Sequence, residues 1–225
     1  MKRIIEDHAK VDPKLLEQYQ SLREVMSVSC VVTDAMERDN VMRSDMKMRS
    51  VNKTFIGPAL TVKLTPGDIV DVLSIFNVAQ AGDVVVIDAF GDTESSIWGG
   101  LIIGLCKAAG IAGVVIDGSA RDIDEARMLD FPVVSKSVSP RAAHSAFSNR
   151  FEPIEINTPI VCGGVQVRPG DMIVADEIGV TVVPNDRLEE VYDKAVEQAK
   201  KEEATREEIL KGATVDELLE KFGRI

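Results

Sequence analysis

"GDVVVIDAFGDTESSIWGGLIIGLCKAAGIAGVVIDGSARDIDEARML", residues 82–129, decides the fold. It opens on a β-branched run, DVVVID, passes through paired glycines into an apolar segment of helical length, LIIGLCKAAG, and returns through a second β-branched run, GVVID. Short apolar runs bounded by turn residues read as strands buried on both faces. A strand, a crossover helix and a second strand imply parallel pairing with a right-handed connection. A helix over 101–109 carries the chain about 14 Å from the end of the strand 83–90, and GVVID returns it by about 17 Å. The Gly99-Gly100 turn therefore meets the charged cluster Arg121, Asp122, Asp124 and Glu125 at the carboxyl ends of neighbouring strands, where open α/β sheets form binding crevices.

Working outward, strand and helix patterns alternate: 55–64 (FIGPALTVKL) as strand, 68–80 (DIVDVLSIFNVAQ) as helix, 122–129 as helix and 131–139 (FPVVSKSVS) as strand. The fold class is α/β. Upstream, Leu15, Leu16, Tyr19, Leu22 and Val25 recur at helical spacing behind Asp12 as cap and Pro13 at the first helical position, and TDAMER (33–38) predicts a further helix start. Downstream, RPGDMIVADEIGVTVVP (168–184) reads as a β-hairpin turning at Gly179. Residues after 184 form a charged helical tail, with Gly212 as a break and Thr214 to Glu217 as a capping box. The expected organisation is one domain over 1–225, made of an N-terminal helical region (1–50), an α/β core (51–184) and a C-terminal helical tail (185–225). Such a tail needs a surface to lie on, such as that of a neighbouring subunit.

Composition narrows the partners. The net charge of -11 disfavours nucleic-acid phosphates and anionic lipid. Lys107, Gly110 and Gly113 break the longest apolar region, and MKRIIEDHAKVDPK has no apolar signal core, so no membrane span and no export signal are expected. Three scattered cysteines, Cys30, Cys106 and Cys162, predict reduced thiols and a cytoplasmic protein.

The chemistry-bearing residues lie in the opening stretch. Adjacent glycines at a helix start admit close backbone approach, and the free N–H groups of a first turn favour an anion such as a carboxylate. No dinucleotide or phosphate-loop glycine pattern accompanies them. Arg121 offers a planar fork of donors suited to a carboxylate or an enolate oxygen. Asp122 and Glu125, three apart, share a helix face and suit a hard divalent cation that keeps most of its waters. A second reading is open: Ser119 and Asp122 also match a capping box, acids are favoured in any first helical turn, and Gly99-Gly100 also suits a packing turn. Trp98 and Cys106 read as packing residues and His144 as a surface residue. No nucleophile-base-carboxylate constellation is present.

Residues 82–141, together with RPGDMIVADEIGVTVVP and the charged tail, resemble the regulator of ribonuclease activity A family, which includes 4-hydroxy-4-methyl-2-oxoglutarate aldolases and oxaloacetate decarboxylases. The likeness runs over roughly residues 55–220, and Gly100, twenty residues, Arg121, Asp122, two residues, Glu125 match the family's G-x20-R-D-x2-E/D pattern. The resemblance implies a layered α/β sandwich of the swivelling phosphohistidine-domain type, assembled as a homotrimer or homohexamer with sites between subunits. It implies a metal-dependent lyase for small 2-oxo acids, with Mg²⁺ or Mn²⁺ bound by Asp122 and Arg121 on the keto or enolate oxygen. Gly99, Gly100, Leu101 and Ile102 would offer N–H groups to the substrate carboxylate. The family's dedicated aldolases carry Asp where this chain has Gly100, which ranks oxaloacetate decarboxylation ahead of retro-aldol cleavage and casts Glu125 as a partial substitute. The resemblance also leaves a non-catalytic ribonuclease regulator and a sugar-acid dehydratase as alternative functions.

Overall fold

The computed structural model describes residues 3–142 and 152–223, so His144 lies outside the described residues. The elements in chain order are β1 (Arg3–Ile5), α1 (Pro13–Ser21), α2 (Val28–Ala35), β2 (Lys47–Met48), β3 (Phe55–Lys63), β4 (Val84–Trp98), α3 (Gly100–Ala108), β5 (Gly113–Ala120), α4 (Ile123–Met128), β6 (Val133–Val138), β7 (Ile154–Ile156), β8 (Ile160–Cys162), β9 (Val165–Val167), β10 (Met172–Ala175), β11 (Val180–Val183), α5 (Leu188–Leu210) and α6 (Val215–Phe222). This is a mixed α/β fold. The main sheet runs β1-β7-β3-β4-β5-β6-β2, and β10 joins it at the first half of β3. Strands β3, β4, β5 and β6 pair in parallel, as the crossover reading requires.

Strand alternation divides the interior. Val85, Ile87, Val114, Ile116 and Val133 point to the side that receives Ile103 and Cys106 of α3 and Ile123 and Ala126 of α4. Val84, Val86, Val115 and Val134 point the other way, onto Met42, Met46, Cys162 and Val167. Because both faces are covered, the runs Val84–Ile87 and Val114–Ile116 are apolar at every position. A third cluster joins Tyr19, Val31 and Val32 of the N-terminal helices to Met172, Val174 and Val191, so α5 begins packed on the body of the molecule. Tyr19 donates its hydroxyl to Leu188 O at 2.9 Å, which satisfies the polar end of a fully buried ring.

Four local expectations are corrected. The N-terminal region is not wholly helical: β1 lies parallel to β7, with Arg3 opposite Ile154. Residues 33–38 end a helix rather than start one. Thr33 bonds back to Ser29 O at 2.7 Å, and Glu37 and Arg38 adopt left-handed φ of 61° and 73°. Within 68–80 only Val72–Asn77 is helical, as a 3-10 turn; Asp68 accepts from Val70 N–H and Asp71 is left-handed, which stops a continuous helix. The strand expected over 83–90 continues to Trp98, as β4, through three register shifts against β5. The 172–183 hairpin, the Asp12 cap and the Thr214–Glu217 capping box are as expected. Cys106 and Cys162 are buried and unpaired. Among the described residues, no helix is long and apolar enough to cross a membrane.

Candidate functional site

The irregular end of β4 builds the site. Past Asp88, ladder pairing with β5 resumes only at Asp92, Ser96 and Trp98, opposite Gly118, Ser119 and Ala120. The chain between them turns on Asp side chains: Asp88 accepts from Phe90 N–H and Asp92 from Glu94 N–H, each at 2.9 Å. Trp98 therefore arrives beside Ala120, its carbonyl accepts Arg121 N–H at 2.9 Å, and Gly99-Gly100 lies against Arg121-Asp122. Ser96, which the sequence reading passed over, is a hub here. Its hydroxyl contacts Ala120 O at 2.9 Å, Ser119 Oγ at 3.2 Å and Ser139 O, joining the ends of three strands. Three serines within reach of one another in sequence-distant strands carry no signal in any single segment.

The close approach accounts for the glycines. A Cβ on Gly99 would stand 2.7 Å from Asp122 Oδ2 and 2.9 Å from Arg121 Nε. Gly100 N–H donates to Asp122 Oδ2 at 2.9 Å, and Arg121 Nε lies 3.5 Å from the same oxygen. The capping-box alternative is thereby set aside. Asp122 is left-handed, at φ 53°, and its side chain makes no cap bond to α4; it reaches back across the crevice to the first turn of α3. Two of the expected backbone donors are engaged within the chain, since Gly100 N–H serves Asp122 and Ile102 N–H serves Gly99 O at 3.1 Å. The Gly99 and Leu101 N–H groups make none of these bonds. Glu125 places its carboxylate directly against Gly100 Cα.

Around these groups is a cavity of about 470 Å³, walled by Gly99, Gly100, Leu101, Ile102, Arg121 and Asp122, with Ile69, Val70 and Ala142 also contributing. Arg121 and Asp122 are each a little over two-fifths exposed, so both charges are reachable from solvent. One face of the crevice thus carries a guanidinium fork and backbone N–H groups for an anion. The other carries the Asp122 carboxylate for a cation or a proton.

A family model described as RraA-like: Aldolase/RraA matches residues 29–182. A protein of Halalkalibacterium halodurans named "Putative 4-hydroxy-4-methyl-2-oxoglutarate aldolase" is 39% identical over 173 residues, which are 77% of this chain and 80% of that protein. The crystal structure of Streptomyces coelicolor RraAS2, described as an unusual member of the RNase ES inhibitor RraA protein family, is 27% identical, with a TM-score of 0.73 over 88% of this chain and 98% of that one. An uncharacterized protein of Pseudomonas syringae shares the fold at a TM-score of 0.77 and 23% identity, covering 94% of this chain and 99% of that one. The paired glycines packed on Arg121 and Asp122 thus sit within the span of residues 29–182, and the chain belongs to the RraA-like, Aldolase/RraA family.

Proposed function

We propose that the protein is a divalent-metal-dependent carbon–carbon lyase that decarboxylates oxaloacetate to pyruvate and cleaves 4-hydroxy-2-oxo acids of the 4-hydroxy-4-methyl-2-oxoglutarate type by retro-aldol reaction. The observation that carries this reading is the convergence of Arg121, Asp122 and the first turn of α3 on one cavity. The name carried by the relative at 39% identity supports the same chemistry.

The donor set fits the metal. Asp122 Oδ2 is occupied by Gly100 N–H, while Oδ1 makes no hydrogen bond among the described residues. One free carboxylate oxygen beside a solvent-filled crevice matches an ion that keeps most of its waters, as Mg²⁺ does. When bound there, Mg²⁺ or Mn²⁺ would supply Lewis-acid stabilisation of developing negative charge. Arg121 orients the 2-oxo group and balances charge on its oxygen. As the C3–C4 bond breaks, carbon dioxide leaves from oxaloacetate, the electron pair passes through C3 and C2 onto that oxygen, and a proton must then reach C3. Retro-aldol cleavage additionally requires the C4 hydroxyl to lose its proton as the departing carbonyl forms. Glu125, whose carboxylate lies against Gly100, would move these protons.

We also propose that the protein self-associates. Ile209, Leu210, Val215 and Leu219 leave a run of aliphatic surface on the charged tail, where a second copy is the simplest cover. The description of the Streptomyces coelicolor structure supports a second function, binding and restraint of a ribonuclease. One experiment separates the two. Pyruvate release from oxaloacetate and from 4-hydroxy-4-methyl-2-oxoglutarate, with and without Mg²⁺ or Mn²⁺, is expected to be metal-dependent. Undiminished activity after exhaustive chelation would remove the metal from the mechanism, and absence of pyruvate from either substrate would leave the regulatory function.

A further inference from the structure

Ser96 lines the cavity and stands where three chain segments cross. It is 3% exposed. Its backbone N–H donates to Arg141 O at 2.8 Å, which ties β4 to the stretch that follows β6 and reaches Ala142, another wall of the cavity. Its hydroxyl contacts Ala120 O at 2.9 Å, Ser139 O, and Ser119 Oγ at 3.2 Å. Proton counting orders these contacts. Carbonyls only accept, so the single Ser96 proton is shared between Ala120 O and Ser139 O, and Ser119 donates in the contact between hydroxyls.

Ala120 immediately precedes Arg121, and the peptide joining them is gripped at both ends. Its oxygen accepts from Ser139 N–H at 3.0 Å and from Ser96, and its N–H donates to Trp98 O at 2.9 Å. A peptide unit is planar, so bonds to its oxygen and from its N–H fix the direction in which the chain enters Arg121. The Arg121 side chain is 42% exposed, so little packing holds it and the backbone sets its aim.

From this geometry we infer that Ser96 is a positioning residue for the lyase reaction, acting through the Ala120–Arg121 peptide to keep the Arg121 guanidinium on the oxygen where charge develops. The inference rests on the lyase reading and adds to it a residue whose hydroxyl is engaged by the chain rather than by the substrate. Without that hydroxyl, the fully buried Ser119 hydroxyl loses an acceptor, and Ala120 O and Ser139 O each lose a donor. Buried polar groups left in that state re-pair by shifting the strand ends that carry them. A small rotation of the Ala120–Arg121 peptide is magnified at the end of the long Arg121 side chain, and stabilisation by an aligned charge falls steeply with such a displacement. Ser137 supplies the contrast. Its hydroxyl donates to Thr93 O at 3.1 Å, so it ties β6 to β4 without touching the Ala120–Arg121 peptide.

The test uses the full-length protein in Mg²⁺. Oxaloacetate decarboxylation is measured for the unaltered protein, Ser96→Ala, Arg121→Lys and the double variant. Calorimetry with oxalate, an uncleavable mimic of the pyruvate enolate, counts competent sites, so that each kcat is expressed per competent site. Ser96→Ala is expected to lower kcat by about tenfold to a hundredfold, to change KM by less than about threefold, and to lower Tm by a few degrees only. In the Arg121→Lys background, where the planar fork is already gone, the same change is expected to cost less than about threefold. Ser137→Ala is expected to keep kcat within about twofold of the unaltered protein. Equal fractional losses from Ser96→Ala in both backgrounds overturn the inference, because a general loosening of the fold multiplies with any other defect. An unchanged kcat in Ser96→Ala overturns it too, as does an equal loss in Ser137→Ala. If the unaltered protein releases no pyruvate from oxaloacetate or from 4-hydroxy-4-methyl-2-oxoglutarate, the lyase reading fails by itself, and the same cycle is read in the Kd for oxalate. There, an effect of Ser96→Ala confined to the protein that retains Arg121 keeps the positioning role, whereas an equal effect in both backgrounds, or no oxalate binding, removes it.

Discussion

The Glu125 carboxylate occupies the space in which a side chain on Gly100 would begin: a Cβ there would fall 1.7 Å from Glu125 Oε2 and 2.3 Å from Cδ. Gly100 is therefore paired with Glu125, and an acid at position 100 would require Glu125 to leave.

Gly100→Ala tests that pairing. The atoms in the way are the far end of a flexible side chain, and alanine favours the first turn of α3 by about 1 kcal/mol, so the variant is expected to fold with little change in Tm. Its turnover is expected to drop to the level of Glu125→Ala, with no further loss in the double variant. Strict additivity in this double-mutant cycle would show that the two positions act independently; coupling of about 1–3 kcal/mol is expected for groups in contact.

Arg121 and Asp122 divide the work of one crevice. Arg121→Lys keeps the charge and loses the planar fork, so kcat is expected to fall tenfold or more, with a smaller change in KM. Asp122→Asn keeps the bond from Gly100 N–H and suits the left-handed φ of 53°. It is expected to hold Tm within a few degrees while metal affinity and turnover collapse. Asp122→Ala adds the strain of a left-handed Cβ, about 1 kcal/mol. Near-normal turnover in Asp122→Asn would end the assignment of Asp122 to the chemistry.

A pH effect on stability is expected from Asp83, which is 1% exposed and has both oxygens 2.9 Å from His8 Nε2. Burial raises its pKa above the usual carboxylate range, against the opposing pull of Gln80 N–H and His8. A carboxyl whose folded pKa is raised favours the folded state below its unfolded pKa and loses that contribution as pH rises through the folded value. His8→Ala removes a partner of the buried anion, so the deficit is expected to be about 1–3 kcal/mol at pH 7. The gap from the unaltered protein should close as the pH falls toward 4. Urea titrations at both pH values measure it, and a pH-independent gap would mean that His8 stabilises by packing alone.

Thiol labelling separates surface from core. Cys30 is exposed, whereas Cys106 and Cys162 are buried, with burial holding the Cys106 thiol up to about 12. A thiolate-directed reagent is expected to modify one thiol in the native protein and three in denaturant. Labelling of Cys30 should itself be slow at pH 7, because burial and the nearby carboxylates of Asp176 and Asp34 raise its pKa too.

The sequence alone determined the parallel core, the crossover and the hairpin. Apolar runs such as Val84–Ile87 and Val114–Ile116, the Asp12 cap and the Thr214–Glu217 box are local patterns, each complete within a few residues. The rise per residue of a helix and a strand then sufficed to bring Gly100 opposite Arg121 and Asp122. The tertiary structure decided what no local pattern contains. Asp92–Trp98 is polar and irregular and becomes strand only because Gly118–Ala120 pairs with it; Arg3–Ile5 becomes strand only beside Ile154–Ile156. Asp122 turns from the helix it precedes to Gly100 N–H, 22 residues away, and Glu125 fills the space that glycine leaves. A backbone or side-chain polar group settles on whichever partner satisfies it in the folded chain, and where that partner is distant in sequence, only the packed structure brings it within reach.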